Sequence, residues 1–417
     1  MSTRMRFGPT VTTMVVLSAI ITGCALLSST TSDGRTRVEF FQFKGEAVET
    51  FDGLIARFNQ EHPDIVVFQN NVPDATTTLR VRLVKDEIPA MMTINGNSEY
   101  GDLAKSGLLR DFTGDPALET TLPATREILN GLGQRSPTQT NGIPFATNAD
   151  PVLYNVDLFA ELGLQVPETW TEFIDLATSI EAAGRIPFYH TWKEAWTTLP
   201  IFNALASNSV EDDFWARREA GQTTFSEAYR PVAEKMLQLK EFGPPDPFGF
   251  DYNAGNRAFA DGESVMYLQG IWAIPTIREI NPDINIASFP VPATDDADRN
   301  RLISGVDVVL TMPAQQRPDT EQALAFIHYL MDQEIAEQYA TEQNSFSAVD
   351  GVVQDDPSLA PLNPYFEQER ITGFADHHIP VGIRLENLIQ GFMVEGDAAK
   401  FLAGLDRQYD RYMARRR

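Results

Sequence analysis

Arg37-Val-Glu-Phe-Phe-Gln-Phe43, Ile65-Val-Val-Phe68 and Pro89-Ala-Met-Met-Thr-Ile94 decide the fold class. Each is a short run rich in Val, Ile, Phe or Met, the composition of a strand buried in a sheet. Between the first two, Val48, Phe51, Ile55 and Phe58 recur at steps of 3, 4 and 3, which predicts an amphipathic helix stopped by His62-Pro63. A shorter helix is expected over 79–85. Strand, helix, strand, helix, strand implies a parallel sheet with right-handed crossovers, an α/β fold.

The same alternation continues outward. Asn141-Gly142 marks a turn, 143–148 and 151–155 read as extended, and Asp157 is expected to cap a helix ended by Gly163. Thr169 and Glu172 have the spacing of a capping box before the stripe Phe173, Leu176, Ala177 and Ile180. Residues 192–239 are helical in pattern, with breaks near Gly221 and Pro231. Further strands are expected at 264–268, 284–289 and 306–310, one long helix over 320–344, and two more between Leu385 and Met413.

Composition narrows the partners. The chain has 417 residues and a formal charge of −25, from 58 Asp plus Glu against 33 Lys plus Arg. A body this acidic has no basic face for a nucleic-acid backbone and none for anionic lipid. Arg4 and Arg6 precede an apolar stretch, Val11 to Ile21, too short to span a bilayer, followed by Thr22-Gly23-Cys24. This pattern resembles a bacterial lipobox. It implies a signal peptide over 1–23 and a lipid on Cys24, the only cysteine, so no disulfide forms within the chain. Residues 24–36 then read as a lipidated, Ser/Thr-rich tether. The expected location is the outer face of the cytoplasmic membrane.

Catalytic patterns are absent. There is no Gly-Lys phosphate loop, no Gly-x-Gly-x-x-Gly after a strand and no Gly-x-Ser-x-Gly. The neighbours His377 and His378 do not both face one metal on a regular element, and no metal or cofactor is expected. Aromatic and polar groups do collect near strand ends: Tyr189-His190-Thr191-Trp192, Trp196 and Gly270-Ile271-Trp272. An aromatic face with a polar rim suits a sugar ring, and open α/β sheets bind ligands outside the carboxyl ends of their strands.

Three stretches resemble one family, the extracellular solute-binding proteins of ATP-driven sugar importers, the group that includes the maltose-binding protein. The first joins Asn141-Gly-Ile-Pro-Phe-Ala-Thr-Asn148 to Val152-Leu-Tyr-Asn-Val-Asp-Leu-Phe159 and Pro167-Glu-Thr-Trp170. The second is Ala258-Phe-Ala-Asp-Gly-Glu-Ser-Val-Met-Tyr-Leu-Gln-Gly-Ile-Trp272. The third runs from Ala323 to Asn344. The resemblance implies a two-lobed periplasmic-binding-protein-like fold of the class II type. Each lobe is a mixed sheet flanked by helices, with the ligand cleft at the hinge. Lobe 1 would hold 37–146 and 302–345, and lobe 2 would hold 147–301 and 346–417.

By the same resemblance the chain is a monomeric binding protein rather than an enzyme. It would capture a neutral mono- or oligosaccharide, of the α-glucoside kind, by hinge closure and deliver it to the permease of an importer. Trp272 matches the family's sugar-stacking tryptophan. Lys44 and Glu46 lie in the loop after the first strand, and Asn97, Ser98 and Glu99 in the loop after the third. Asn148 and Asp150 lie at the first hinge crossing, and His190, Trp192 and Trp196 where an aromatic platform is common. Asp307 and Arg384 complete the expected contacts. The loop 95–99 departs from the maltose binder, which argues against maltose itself. The alternatives are a polyamine or metal complex in the same fold, or a secreted glycosidase-like enzyme.

Overall fold

A computed structural model describes residues 31, 34–72, 75–85 and 87–415. The leader expected over 1–23 and the lipidation expected at Cys24 fall outside the described residues. Strands β1 (Thr36–Gln42), β2 (Ile65–Asn71) and β3 (Met91–Ile94) pair in parallel, with Thr36 opposite Ile65 and Phe40 opposite Met91. The helix between β1 and β2, Val48–Glu61, buries Phe51, Leu54, Ile55 and Phe58. Strand β4 (Ile143–Ala149) ends at the hinge. Asp150 alone separates it from β5 (Pro151–Asn155), which opens a second sheet.

That second sheet adds β6 (Ile186–Phe188), β7 (Ser264–Tyr267) and β8 (Ile286–Pro290) in the order β6-β7-β5-β8. The chain then returns as β9 (Leu302–Thr311), antiparallel to both β3 and β4 in the first sheet. All ten of its residues are buried, as a strand covered on both faces requires. Register shifts in the β4–β9 pair around Pro144 and Ala146 accommodate a proline, which cannot donate to the ladder. Two short strands, β10 (Phe346–Ser347) and β11 (Ile371–Thr372), pair with β4 and β9.

Each sheet has its own core. Phe40, Phe51, Phe58, Phe326 and Tyr339 pack in the first, with Phe40 and Phe51 edge to face at 4.9 Å. Phe173, Phe188, Phe289, Ile389 and Leu405 belong to the second. Ala149, Leu153, Ile271, Leu302 and Phe346 form a separate cluster across the crossing strands. The strands that cross between the sheets therefore share a packed core of their own.

Two local expectations are corrected. Asn155, not Asp157, caps the helix Val156–Leu162: its Oδ1 accepts the Leu158 N–H at 3.0 Å, and Asp157 instead accepts from Asn285. The long helix over 320–344 is two helices, Thr320–Leu330 and Gln333–Glu342. Asp332 adopts an extended backbone between them and caps the second through the Glu334 N–H, a switch that a continuous apolar stripe conceals. The capping box of Thr169 and Glu172 forms as read.

Candidate functional site

The first lobe's rim is built where β1 and β3 end. Gln42, the last residue of β1, is fully buried, and its side-chain oxygen accepts the Lys44 N–H at 2.7 Å, which fixes the turn. The Lys44 ammonium is thereby carried onto Asp307 in β9, where the two side chains pair, with Glu46 3.3 Å away. Asn95 donates to the other oxygen of Asp307 at 3.3 Å. Burial opposes the charge on Lys44, but Asp307 and Glu46 outweigh it and hold its pKa above the usual lysine value. Tyr339 lies beneath; burial first, then Asp307 and Glu46, push its hydroxyl well above the ordinary range.

The loop after β3 lies flat against β9. The Gly96 N–H donates to the Val306 carbonyl at 2.9 Å, and a Cβ at Gly96 would fall 2.6 Å from that oxygen, so only glycine allows the approach. Asn97 and Ser98 follow, and Asn97 caps the helix Ser98–Lys105. Together with Asn95 they form one wall of a cavity of about 250 Å³. Leu199, Asp376, His377, Pro380 and Glu386 of the second lobe form the other. Glu99 turns away and pairs with Arg80 at 2.6 Å.

Asp150 sits at the hinge, 2% exposed, its N–H donating to the Ile303 carbonyl at 3.0 Å. Its neighbours are the Asn203 side chain and the Asp376 carboxylate, and the Asp376 N–H donates to Asn203 Oδ1 at 3.0 Å. One carboxyl oxygen of each aspartate is buried with no hydrogen-bond partner among the described residues. Burial first, then the charge of Asp376, raises the Asp150 pKa well above the carboxylate range, against the help of Asn203. Asn148 is half-buried one turn of the ladder earlier, opposite Gly305.

The second lobe's aromatic residues separate into two kinds. Trp272 is half-buried at the start of the helix Ala273–Ile280, beside the hinge, where the preceding Ile271 N–H donates to the Ala149 carbonyl. Its ring lies directly on Gly270, where a Cβ would fall 2.2 Å from ring atoms. Gly270 is thus needed for that close contact, not for a left-handed turn. Trp196 is also half-buried, its ring 5.0 Å from Tyr252. His190 and Trp192, by contrast, are each 3% exposed and stacked at 4.3 Å inside the second core. The His190 ring bonds the Leu239 carbonyl, and burial pushes its pKa down to about 4. Arg384 is exposed, in a left-handed backbone conformation, 3.7 Å from Glu386.

The fold therefore brings Lys44, Glu46 and Asp307 together on one rim, with Asn97 and Ser98 beside them and Asp150 behind the cavity. It places His190 and Trp192 in the core and turns Glu99 onto Arg80. Sequence reading missed Asp376, His377 and Leu199 as cavity walls. The run Asp376-His377-His378 is a local signal for the first two, and Leu199 has none; among the described residues no group of three or more His, Cys, Asp or Glu is placed to hold a metal.

The family model for bacterial extracellular solute-binding proteins matches residues 44–337 of this chain. The chain belongs to that family. Membership makes it a binding protein of transport and not an enzyme. It is 26% identical over 364 residues to the Multiple sugar-binding protein of Streptococcus mutans serotype c, covering 84% of this chain and 83% of that one. It is 22% identical over 381 residues to the Melibiose/raffinose/stachyose-binding protein MelE of Bacillus subtilis, covering 87% and 86%. Among solved structures, apo RafE from Streptococcus pneumoniae superposes with a TM-score of 0.79 at 25% identity, over 92% of this chain and 98% of that one. The two-lobed α/β architecture is the family's.

Proposed function

We propose that this chain captures a neutral carbohydrate between its lobes and hands it to the membrane permease of an ATP-driven importer. One observation carries the reading. The rim's lysine, Lys44, is held by Asp307 and Glu46, so its ammonium is already paired and the rim presents a fixed array of hydrogen-bonding groups. Such an array suits hydroxyl groups, and a lysine already paired is a poor anchor for an anionic ligand. Half-buried Trp272 beside the hinge supplies the apolar face that a sugar ring needs. The names of the relatives support a carbohydrate: one is a multiple sugar-binding protein, and RafE is also known in complex with raffinose.

The finer parts of the reading are also ours. The ligand is an α-glucoside, the lobes divide as 37–146 with 302–345 and 147–301 with 346–417, and the protein is a monomer. A lipid on Cys24 holds it at the outer face of the cytoplasmic membrane. The test is a thermal-shift and tryptophan-fluorescence panel that sets α-glucosides against raffinose-type saccharides, spermidine and ferric ion. A ligand at a hundred times its dissociation constant stabilises by about 2.7 kcal/mol, which is readily seen. Response to spermidine or ferric ion with none to any saccharide would overturn the carbohydrate reading. Response to raffinose-type sugars alone would remove the α-glucoside assignment and keep the rest.

A further inference from the structure

Two carboxylates meet behind the cavity between the lobes. Asp150 is the single residue between β4 and β5, where the chain crosses from one sheet to the other. Asp376 lies in the turn Ala375–His378 and lines the cavity wall. Asn203, in the helix Leu199–Ser209, ties them together: its side chain bonds Asp150, and its Oδ1 accepts the Asp376 N–H. Asp150 is buried, and one oxygen of each carboxyl group is buried with no hydrogen-bond partner among the described residues. Buried polar atoms are nearly always paired, so this arrangement lacks a component.

The strands and the helix around the pair supply no cation. The charge that acts on Asp150 is that of Asp376, of the same sign. β4, β5, β11 and the helix Leu199–Ser209 contain no charged residue. β9 contains only Asp307, which Lys44 already holds. Next to the Ile303 carbonyl that accepts the Asp150 N–H, the Ser304 hydroxyl is neutral and also buried without a partner among the described residues. In the turn, His377 stands edge-on to Phe374 at 4.8 Å, and His378 stacks on Trp215 at 4.8 Å. Burial first, then His377 and Lys105, pushes the His378 pKa down to about 3, so it is neutral near pH 7. A second buried carboxylate charge here is costly, whereas one proton removes it and adds a donor.

We propose that Asp150 and Asp376 keep one proton between them and that saccharide binding depends on it, with Asp150 a positioning residue that acts through Asn203 and Asp376. With the proton, the pair carries a single charge. The Asp376 turn then stays on Asn203, with its carboxyl group on the cavity wall to accept ligand hydroxyls. Without it, two like charges repel at the crossing and push the turn off the wall. A ligand that fills the cavity displaces water from Asp376 and strengthens the pair's hold on the proton. Binding therefore takes up a proton from solvent, and affinity falls as pH rises through the titration of the pair. This rests on the carbohydrate reading above and adds to it a proton and the residues that hold it.

The experiment is calorimetric titration of the full chain with maltose and with raffinose, from about pH 5 to about pH 9, in two buffers of different ionisation enthalpy. Wild type is expected to bind about tenfold or more tightly at the acid end, and the difference in heat between buffers should show proton uptake on binding. Asp150→Asn, with a neutral amide in place of the acid, is expected to flatten the profile to within about twofold and to take up no proton. Unfolding of the ligand-free chain by denaturant over the same range checks the proton independently. Asp150 holds its proton more tightly folded than unfolded, so wild-type stability should fall with rising pH relative to Asp150→Asn, by up to about tenfold in the folding constant per pH unit. Wild-type affinity that is flat with pH and takes up no proton overturns the proposal, and this needs no variant. So does a loss that Asp150→Asn retains, which would put the proton on His377, and so do parallel stability curves. If neither sugar binds at any pH, the carbohydrate reading fails, and the stability curves still decide whether the pair holds its proton.

Discussion

Sequence assigns ligand contact to two groups: the polar rim of the first lobe and the aromatic set of the second. The fold treats them differently. Lys44 and Asn95, just past the ends of β1 and β3, meet Asp307 from the middle of β9 in one network. His190 and Trp192 are chain neighbours and meet each other, but inside the core. A polar side chain buried at a strand or just past its end has few places to go, because burial without partners is costly. An aromatic side chain is stable either in the core or at the rim, and local pattern does not separate the two. The comparison can be broken by substitutions that ask whether each group serves the fold or the ligand.

The largest effect is expected from Trp192→Ala. Its ring packs between His190 and Phe248, so truncation should cost about 3–5 kcal/mol of stability. Denaturant unfolding measures it. A stable variant that has lost ligand affinity would move Trp192 from core to contact.

Lys44→Met comes next. It leaves Asp307, whose side chain is 9% exposed, without its counter-charge, at a cost of about 3 kcal/mol. Adding Asp307→Asn should recover much of that stability, since the double variant buries no charge. Ligand affinity should not return with it, because the rim's donor is gone. Full recovery of both would make the pair a structural tie and nothing more.

Trp272→Ala is expected to leave unfolding nearly unchanged and to weaken saccharide binding by about 1–3 kcal/mol, on the scale of ring stacking. Wild-type affinity in this variant would return Trp272 to the core and leave half-buried Trp196 as the second lobe's aromatic candidate.

His190 offers a test by pH. Its folded pKa, about 4, lies below the unfolded value of 6.5. The unfolded chain therefore takes up the proton first, and stability falls as pH drops from about 6.5 towards 4, by about 1.4 kcal/mol per unit in the middle of that window. His190→Gln can keep a donor to the Leu239 carbonyl and should lose this part of the acid sensitivity. Equal slopes for variant and wild type would mean that His190 is solvated.

Much of this molecule is legible in its sequence because local signals agree with the fold. The parallel start, the capping box of Thr169 and the stop at His62-Pro63 all depend on neighbours in the chain. What was hidden depends on distant partners. Asp376 becomes a cavity wall only because Asn203 holds its backbone beside the hinge. Gly270 matters because a tryptophan two residues on folds back across it. The break at Asp332 is hidden for another reason: apolar residues on both sides keep one periodicity through a capped gap.

The smallest expected effect sharpens the comparison most. Glu99 lies in the loop that supplies Asn97 and Ser98, yet its carboxylate pairs with Arg80, whose side chain is 58% exposed. The Glu99 side chain itself is 13% exposed, so the pair is open to solvent on the arginine side alone and contributes about 1 kcal/mol. Glu99→Gln should therefore change stability little, and it should leave saccharide affinity where it was. Ser98→Ala, one residue earlier, should weaken binding, because Ser98 lines the cavity of about 250 Å³ between the two walls. Parallel titrations of the two variants decide between them. If Glu99→Gln weakens binding and Ser98→Ala does not, the loop presents its other face on closure. The rim would then be read from the ligand-bound arrangement, with Arg80 released from its partner.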